Sequence, residues 1–484
     1  MTSCDADLTP ARRRFDLRRA SDETADVLVI GGGITGAGVA LDAASRGLRV
    51  TMIEAEDLAF GTSRFSSKLV HGGLRYLATG DVATAVESAR ERHLLMTVIA
   101  PHLIRPMPQL LPFLPGVTAG QRVTGGLGLC LGDLLRRYAR TPGTVLPAPR
   151  PVSPRTALRL VPALRAERLR GGVLSFDGQL VDDARLVVDV ARTAAACGAR
   201  ILTRVRATVL RGDGADAVDE ITGETLTLRA RSVINATGVW AGGLDPSIAV
   251  RPSRGTHVVL DAAHLGYPAA ALMVPRVGST SRYVFALPQH SGRVIVGLTD
   301  EDAPGPIPRT AAPTAAEVDF LLASVNRVLT EPIGHGSIRG SFAGLRPLVD
   351  TGAESTADIS RRHLVAVSDE GFITVLGGKL TTYRRMAEDA VDLALRIRGI
   401  SAPASATSAL PLVATASSAW DDAPTRPTEE SVRAAAERAV RGEGARTAED
   451  VLDRRTRIGL DDEERRRWLP LVEQVVAAEL AEEG

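Results

Sequence analysis

The chain has 484 residues, enough for two or three domains, and 44% of them are hydrophobic, which excludes a globally disordered protein. Its formal net charge of +1 argues against nucleic-acid binding by bulk electrostatics, so no nucleic-acid partner is expected. The three cysteines, Cys4, Cys130 and Cys197, lack the number and spacing of a disulfide framework or a metal site, which indicates a reducing, cytoplasmic compartment.

The N-terminal segment is basic. Residues 1–20 carry five arginines between positions 12 and 19, and we predict a flexible basic arm there. A signal peptide is not expected, because Asp22 and Glu23 separate the arginines from the apolar stretch that follows. No apolar run in the sequence is long enough to predict a transmembrane helix.

The strongest motif follows directly. Residues 26–30 predict a short buried strand, and Gly31, Gly33 and Gly36 then form G-x-G-x-x-G at the start of a helix. The first glycine permits the tight turn, the second lets a pyrophosphate approach the backbone, and the third lets helix and strand pack closely. A second predicted strand ends at Glu54, where an acid would bind a ribose hydroxyl. The motif predicts a dinucleotide site but does not separate NAD from FAD.

A long segment rich in glycine and hydroxyl side chains lies behind this motif, at residues 57–77. Loops of this length are uncommon unless they are functional. Its hydroxyl and charged side chains predict contacts along an extended cofactor; they are Thr62, Ser63, Ser66, Ser67, Lys68, His71 and Arg75.

At these residues the chain resembles a known family, the FAD-dependent glycerol-3-phosphate dehydrogenases of the aerobic, quinone-linked type. The resemblance is carried by G-G-G-I-T-G-A-G at 31–38 and by G-T-S-x-x-S-S-K-L-V-H-G-G-L-R-Y-L at 61–77. It continues through shorter strings at 181–186, 234–240, 254–257, 345–348 and 377–384.

The predicted elements and the resemblance imply an α/β fold. We expect a Rossmann-like FAD-binding domain with an inserted antiparallel-sheet substrate domain and a small helical C-terminal region. The predicted bounds are 21–245 for the first part of the FAD-binding domain, with an insertion at 99–170, then 246–350 for the substrate domain, 351–400 for the last FAD-binding part, 401–427 for a linker and 428–484 for the helical region.

Helices are predicted at 82–98, 182–197, 313–331, 380–397 and 429–441, and another beginning at Thr447 with Asp450 in capping-box spacing. Asp182 is expected to cap its helix rather than to act with Asp183 as an acid/base pair. A hairpin is predicted at 206–231, with strands through 250–300 and 333–349 and returning strands at 363–368 and 372–376.

The resemblance implies the FAD contacts. They are Gly31, Gly33, Ile34, Thr35, Gly36, Glu54, Thr62, Ser63, Ser66, Ser67, Lys68, Leu69, His71, Gly72, Val205, Ala236, Thr237, Gly238, Gly378, Lys379, Leu380 and Thr381. The second glycine turn, at 377–378, would aim a helix N-terminus at the flavin ring, where negative charge grows on reduction.

The resemblance also implies the reaction. A hydride leaves C2 of sn-glycerol 3-phosphate for flavin N5, dihydroxyacetone phosphate forms, and the electrons pass to a membrane quinone. The expected substrate contacts are Arg75, Tyr76, Lys379 and Thr299. His71 is the preferred base because the ordinary pKa of histidine lies near neutrality. His257 is the alternative base, and Arg346 is a candidate for stabilising the alkoxide.

Residues 99–135 leave two interpretations open. Apolar residues broken by prolines precede an arginine cluster at 136–140, which fits either core packing or a surface that enters one leaflet. The second interpretation predicts peripheral attachment to the inner face of the cell membrane.

Three other functions are weighed against a quinone-linked dehydrogenase: an oxidase that uses oxygen, a non-catalytic flavin-binding scaffold, and a soluble NAD enzyme. Homodimerisation is left open.

Overall fold

The computed structural model describes residues 6–73, 80–115, 119–279, 282–289, 291–350, 362–414 and 427–482. Its strands are β1 (Ala25–Ile30), β2 (Val50–Glu54), β3 (Leu69–Val70), β4 (Ile104–Pro112), β5 (Arg150–Val152), β6 (Gly172–Leu180), β7 (Arg200–Thr203), β8 (Val205–Arg211), β9 (Gly214–Asp219), β10 (Thr225–Asn235), β11 (Val250–Asp261), β12 (Ala271–Pro275), β13 (Tyr283–Pro288), β14 (Arg293–Gly297), β15 (Glu301–Asp302), β16 (Ile338–Val349), β17 (His363–Val367) and β18 (Ile373–Gly377).

The α-helices of these segments are α1 (Pro10–Asp22), α2 (Ile34–Ser45), α3 (Val82–Leu94), α4 (Ala119–Tyr138), α5 (Pro154–Leu160), α6 (Asp183–Ala196), α7 (Ala241–Leu244), α8 (Ala315–Asn326), α9 (Tyr383–Arg398), α10 (Glu429–Glu443), α11 (Ala448–Arg454) and α12 (Asp462–Glu482). In the described part of the chain, no helix is long and apolar enough to span a membrane.

The first sheet has the strand order β17-β18-β10-β1-β2-β7. Its central strand, β1, is parallel to β10 on one side and to β2 on the other, and all six of its residues are buried. Helix α2 packs between α6 and α9 on one face, which explains its run of small residues. The α/β fold and the dinucleotide-binding βαβ unit predicted from the glycine motif are confirmed.

The second sheet follows the order β15-β11-β14-β13-β12-β4-β6-β3, with β16 paired to β11 and β5 to β6. It is mostly antiparallel, but β12 and β4 pair in parallel. Strands β3, β4, β5 and β6 precede the predicted substrate domain in the chain, yet they form one end of its sheet. The predicted insertion at 99–170 and the segment at 246–350 therefore contribute to one layer.

The lipid-facing interpretation of 99–115 is wrong. Leu110, Leu111 and Leu114 are buried, at 0%, 0% and 3% exposure. They belong to β4 or directly follow it, and β4 lies between β12 and β6. A strand covered on both faces requires a nearly continuous apolar run, so core packing accounts for these residues.

The predicted flexible arm at 1–20 is instead helical over Pro10–Asp22. Thr9 caps the helix, with its side chain accepting from the backbone N–H of Arg12. Arg13 is buried, donates to the carbonyl oxygen of Thr203 at 2.8 Å and pairs with Asp219 at 2.7 Å. Arg13 is held in place because the first sheet and its hairpin supply acceptors for it.

The C-terminal region is helical, as expected. Thr447 and Asp450 form the predicted capping box at α11, and Asp182 caps α6. A third helix, α12, was not predicted and packs on α10 and α11. Residues 401–414 of the predicted linker pack on the domain, where Leu412 is 5% exposed; residues 415–426 lie outside the described segments.

A buried ion network joins this helical region to the first sheet. Asp57, beyond the end of β2, accepts two hydrogen bonds from Arg455 at 2.8 and 2.9 Å and one from Arg454 at 2.7 Å. The side chains of all three residues are at most 3% exposed. Charges this deeply buried require paired partners, so the two regions depend on one another.

Replacing Asp57 with asparagine should strongly destabilise the fold, because Arg454 and Arg455 lose the buried carboxylate that they share and keep only their pairs with Asp450 and Glu443. We expect the free energy of unfolding to fall by about 3–5 kcal/mol, the usual cost of breaking a buried ion pair. Urea denaturation followed by tryptophan fluorescence measures it. The matched control Asp216→Asn breaks the exposed pair with Arg211 and should barely move the midpoint. Equal midpoints for both variants would contradict the role of the network.

Candidate functional site

A cavity of about 990 Å³ runs between the two sheets. One end is formed by the carboxyl ends of β1 and β2 and by β8. The other end is formed by residues from β3, β6, β12, β13 and the turn after β18. This position, beyond the carboxyl ends of parallel strands, is where open α/β sheets bind their ligands.

Glycines form the first end of the cavity. Gly31 has a φ of +109°, and a Cβ there would lie 2.7 Å from the carbonyl oxygen of Ala236. Gly33 caps α2 and lines the cavity. At Gly36 a Cβ would lie 1.8 Å from the carbonyl oxygen of Gly31, so this glycine serves helix–strand packing, as the motif predicts. The N-terminus of α2 is thereby open to an anion.

Ser63 and Glu54 occupy this end of the cavity. Ser63 accepts a hydrogen bond from the backbone N–H of Ile34 at 2.9 Å, in the first turn of α2. Glu54 accepts from the N–H groups of Gly32 at 2.6 Å and Glu56 at 2.8 Å. Burial raises the pKa of Glu54, and the two N–H groups oppose that shift by stabilising the carboxylate. Its carboxylate is thus fixed at the end of β2, beside the glycine turn.

The second glycine turn lies at the other end. Gly377 and Gly378 have φ values of +78° and +70°, and the short helical turn Leu380–Thr382 leads from them into α9. The cavity therefore has a glycine turn followed by a helix N-terminus at each end. An extended dinucleotide such as FAD fits this donor set, with its pyrophosphate at Gly33 and its ring near Gly378.

Most predicted cofactor residues line the cavity. They are Gly31, Gly33, Ile34, Thr35, Glu54, Thr62, Ser63, Ser66, Ser67, Leu69, His71, Val205, Ala236, Thr237, Gly238, Gly378, Lys379, Leu380 and Thr381. The structure does not bring Gly36, Lys68 or Gly72 to its surface.

Lys68 was predicted to contact the cofactor, but its side chain points away from the cavity and is buried. Its side chain is 2% exposed, and Nζ lies 2.6 Å from Asp183 Oδ1 while donating to the carbonyl oxygen of Arg64 at 2.8 Å. Asp183 also accepts from the backbone N–H and hydroxyl of Ser66. A buried carboxylate requires a cation, so Lys68 anchors the loop rather than contacting the cavity.

His257 is buried beside the cavity, in contact with Ser67 and Phe342. It is 1% exposed, its Nε2 lies 2.8 Å from Ser67 Oγ, and its ring stacks on Phe342 at a centroid distance of 4.7 Å. Burial lowers the pKa of His257 to about 3, and the positive charges of Arg346 and Lys68 add to the shift. This imidazole is neutral at physiological pH and poorly suited to take up a proton.

Arg346 lines the cavity beside His257. Its Nη1 lies 3.3 Å from Asp300 Oδ1, and Nη2 donates to the carbonyl oxygen of Thr299 at 3.2 Å. Thr299 is 1% exposed, and its hydroxyl lies 3.1 Å from Glu317. Thr299 therefore supports the arginine through its carbonyl group, while its hydroxyl bonds to protein.

Lys379 lines the cavity and its Nζ donates to Ser88 Oγ on α3. Arg75 and Tyr76, the other predicted substrate contacts, lie outside the described residues. Four cavity arginines were missed: Arg206, Arg276, Arg282 and Arg309. The only sequence signal for Arg276 and Arg282 is a pair of arginines flanking a turn, which is common in surface loops.

A family model for FAD-dependent oxidoreductases matches residues 26–384. Glycerol-3-phosphate dehydrogenase 1 of Mycobacterium tuberculosis is 47% identical over 509 aligned positions, which cover 98% of this chain and 99% of the relative. Glycerol-3-phosphate dehydrogenase 2 of the same organism is 40% identical over 81% of this chain and 66% of its own length.

Solved structures show the same fold. The glycerol-3-phosphate dehydrogenase of Bacillus halodurans, complexed with FAD, has a TM-score of 0.73 and 25% identity, covering 97% of this chain and 93% of that one. The L-α-glycerophosphate oxidase of Mycoplasma pneumoniae, with FAD bound, has a TM-score of 0.60 and 18% identity, covering 81% and 100%. With near full-length sequence identity of 47% and the family model matching both glycine turns, the chain belongs to the FAD-dependent glycerol-3-phosphate dehydrogenases.

Proposed function

We propose that the protein oxidises sn-glycerol 3-phosphate to dihydroxyacetone phosphate. Bound FAD supplies the hydride acceptor for this reaction. The observation that carries the proposal is one continuous cavity with a glycine-lined dinucleotide end and a cationic end. The cationic end is lined by Arg276, Arg282, Arg346 and Lys379. Guanidinium and ammonium groups suit a phosphate dianion.

Substrate binding is assigned to groups from both sheets. Arg346, on β16 of the second sheet, and Lys379, just after β18 of the first, both line the cavity. Arg75 and Tyr76 are proposed as further contacts from the family motif. Thr299 is proposed to act indirectly, because its carbonyl oxygen accepts from Arg346 while its hydroxyl lies beside Glu317. Arg346 is also proposed to stabilise negative charge on the reacting oxygen.

His71 is proposed as the base that takes the hydroxyl proton. His257 is the less suitable alternative, because protonation would place a third positive charge beside Arg346 and Lys68. Its contribution is a neutral hydrogen bond to Ser67 and a stacked ring that shapes the wall.

The electron acceptor is proposed to be a membrane quinone, reached from the inner face of the cell membrane. Leu131, Leu134 and Tyr138 are 39%, 59% and 59% exposed and lie three and four residues apart along α4, on one stripe. Arg137 lies beside them with a side chain 66% exposed. An apolar stripe next to a cation fits an interface of lipid tails and anionic head groups. Oxygen is the alternative acceptor.

The purified protein should contain FAD whose absorbance bleaches when sn-glycerol 3-phosphate is added without oxygen. Gly33→Val should abolish flavin retention, because its side chain would occupy the pyrophosphate position. A Cβ at Gly33 meets only Ser63 Oγ, at 3.2 Å, so the variant should still fold. A yellow Gly33→Val protein would contradict the nucleotide assignment, and flavin that stays oxidised with substrate would contradict the reaction.

The electron acceptor is identified by comparing the rates at which quinone and oxygen reoxidise the reduced flavin.

His71→Ala should slow flavin reduction by roughly a hundredfold to ten-thousandfold, the usual value of general acid–base catalysis. A base acts only when deprotonated, so the wild-type rate should fall at acidic pH and this decline should vanish in the variant. His257→Gln should keep the decline, since the pKa of His257 lies at about 3, below the assayed range. Anaerobic stopped-flow bleaching measures both. The base would have to be sought elsewhere if His71→Ala retained the wild-type rate and pH profile.

The double variant Leu131→Ser/Leu134→Ser should weaken binding to anionic liposomes and slow quinone reduction more than reduction of a soluble dye. The matched control is Val209→Ser/Ile221→Ser, which removes apolar side chains 47% and 44% exposed on the β8–β9–β10 hairpin. Liposome co-sedimentation and parallel acceptor assays provide the measurements. Unchanged liposome binding by a folded α4 variant rules out this surface.

A further inference from the structure

A proline-rich segment borders the cavity at the end that contains Glu54. It comprises residues 303–314, between β15 and α8, and has prolines at positions 304, 306, 308 and 313. Ile307 and Arg309, from its middle, line the cavity together with Glu54. In dinucleotide-binding folds the acid at the end of the second strand binds the adenosine ribose. The proline-rich segment therefore forms part of the wall at the adenosine end.

Both ends of this segment are fixed beside the second sheet. The backbone N–H of Ala303 donates to the carbonyl oxygen of Pro252, on β11, at 3.1 Å. At the other end, Thr314 and Glu317 form a capping box at the start of α8. Between them, residues 304–313 make no backbone–backbone hydrogen bond within the described part of the chain. A segment with so few backbone bonds can open without unfolding its neighbours.

One ion pair joins the middle of the segment to the first sheet. Arg309 donates from Nε to Glu56 Oε1 at 2.8 Å and from Nη2 to Glu56 Oε2 at 2.9 Å. Glu56 lies just beyond β2 and also accepts from Arg204 at 3.1 Å. Arg204 is itself held by Asp450 at 2.7 Å. The carboxylate is therefore fixed from the protein side, and Arg309 approaches it in the two-point geometry that favours arginine.

The exposure of this pair suits a contact that opens and closes. The side chain of Arg309 is 70% exposed and that of Glu56 is 27% exposed, whereas Asp57 and its arginines are almost fully buried. Breaking an exposed pair costs the fold little, because water solvates both charges. The guanidinium of Arg309 also lies over the ring of Phe60, 4.8 Å from its centroid, and Phe60 lines the cavity.

We propose that residues 303–314 are a strap that closes over the adenosine half of FAD, and that the Arg309–Glu56 pair is the latch that slows cofactor release. When the latch opens, the anchors at Ala303 and Thr314 stay in place and only the middle of the strap moves. The prolines keep the segment extended and leave it few N–H groups with which to pair elsewhere. This inference concerns cofactor retention and does not depend on which substrate the enzyme oxidises.

A double-mutant cycle on FAD release tests the latch. Arg309→Gln should speed FAD dissociation roughly two- to fivefold, the range expected for one exposed ion pair. Glu56→Gln should also speed it, and the double variant should be no faster than Glu56→Gln, because both changes act through one pair. The fluorescence of FAD released after dilution of the holoenzyme gives all four rates. Salt should accelerate release more steeply in the wild type than in Arg309→Gln, since it screens exposed charges.

The matched control is Arg211→Gln. Arg211 binds Asp216 in the same two-point geometry, at 2.7 and 2.8 Å, but does not line the cavity. Its replacement should leave FAD release unchanged. The strap itself is tested by the triple variant Pro304→Ala/Pro306→Ala/Pro308→Ala, which keeps the latch. This variant should also release FAD faster, because the loosened segment has more open conformations.

Unchanged FAD release in Arg309→Gln would overturn the latch. Equal acceleration by Arg309→Gln with Glu56 present or replaced would overturn it as well, since the arginine would then act on FAD directly. Unchanged release in the triple proline variant would overturn the strap.

Discussion

The structure depends on how closely backbone approaches backbone beneath the dinucleotide end of the cavity. At Gly36 a single methyl group would lie 1.8 Å from the carbonyl oxygen of Gly31, and at Gly31 it would lie 2.7 Å from that of Ala236. Strand β1, helix α2 and the turn after β10 therefore meet without side chains. This contact brings the N-terminus of α2 to the cavity, a position suited to binding an anion.

The second sheet supplies the chemistry against this scaffold. His71 directly follows its strand β3, while Asp177 lies on β6 and Arg346 on β16. Helix α3 contacts both sides of the cavity wall: its Arg92 pairs with Asp177 of β6, and its Ser88 accepts a hydrogen bond from Lys379. Asp177 and Arg346 thus lie within strands, whereas His71 and Lys379 lie just beyond strand ends.

The sequence correctly predicted the elements that are determined by residues close together in the chain. The glycine spacing indicated β1, α2 and β2, and the caps at Asp182 and Thr447 were correct because a capping side chain bonds within its own turn. Long-range partners were not accessible. The sequence around Lys68 predicts a cavity residue, because the pairing with Asp183 cannot be read from it. Leu110 likewise fits a lipid contact in the sequence, because the position of β4 between β12 and β6 is not apparent there. The low pKa of His257 likewise depends on burial by distant strands.

The strand order of the parallel sheet bears on biosynthesis. The ribosome makes β1 early, yet β10 also pairs with β18, at Ile373 and Thr374, and Asp57 pairs with arginines of the C-terminal helical region. Contacts so distant in sequence form slowly and late. The two glycine turns cannot face one another until most of the chain has emerged. Cofactor capture is therefore a late step, and the apolar β1 and α2 need protection from aggregation until then.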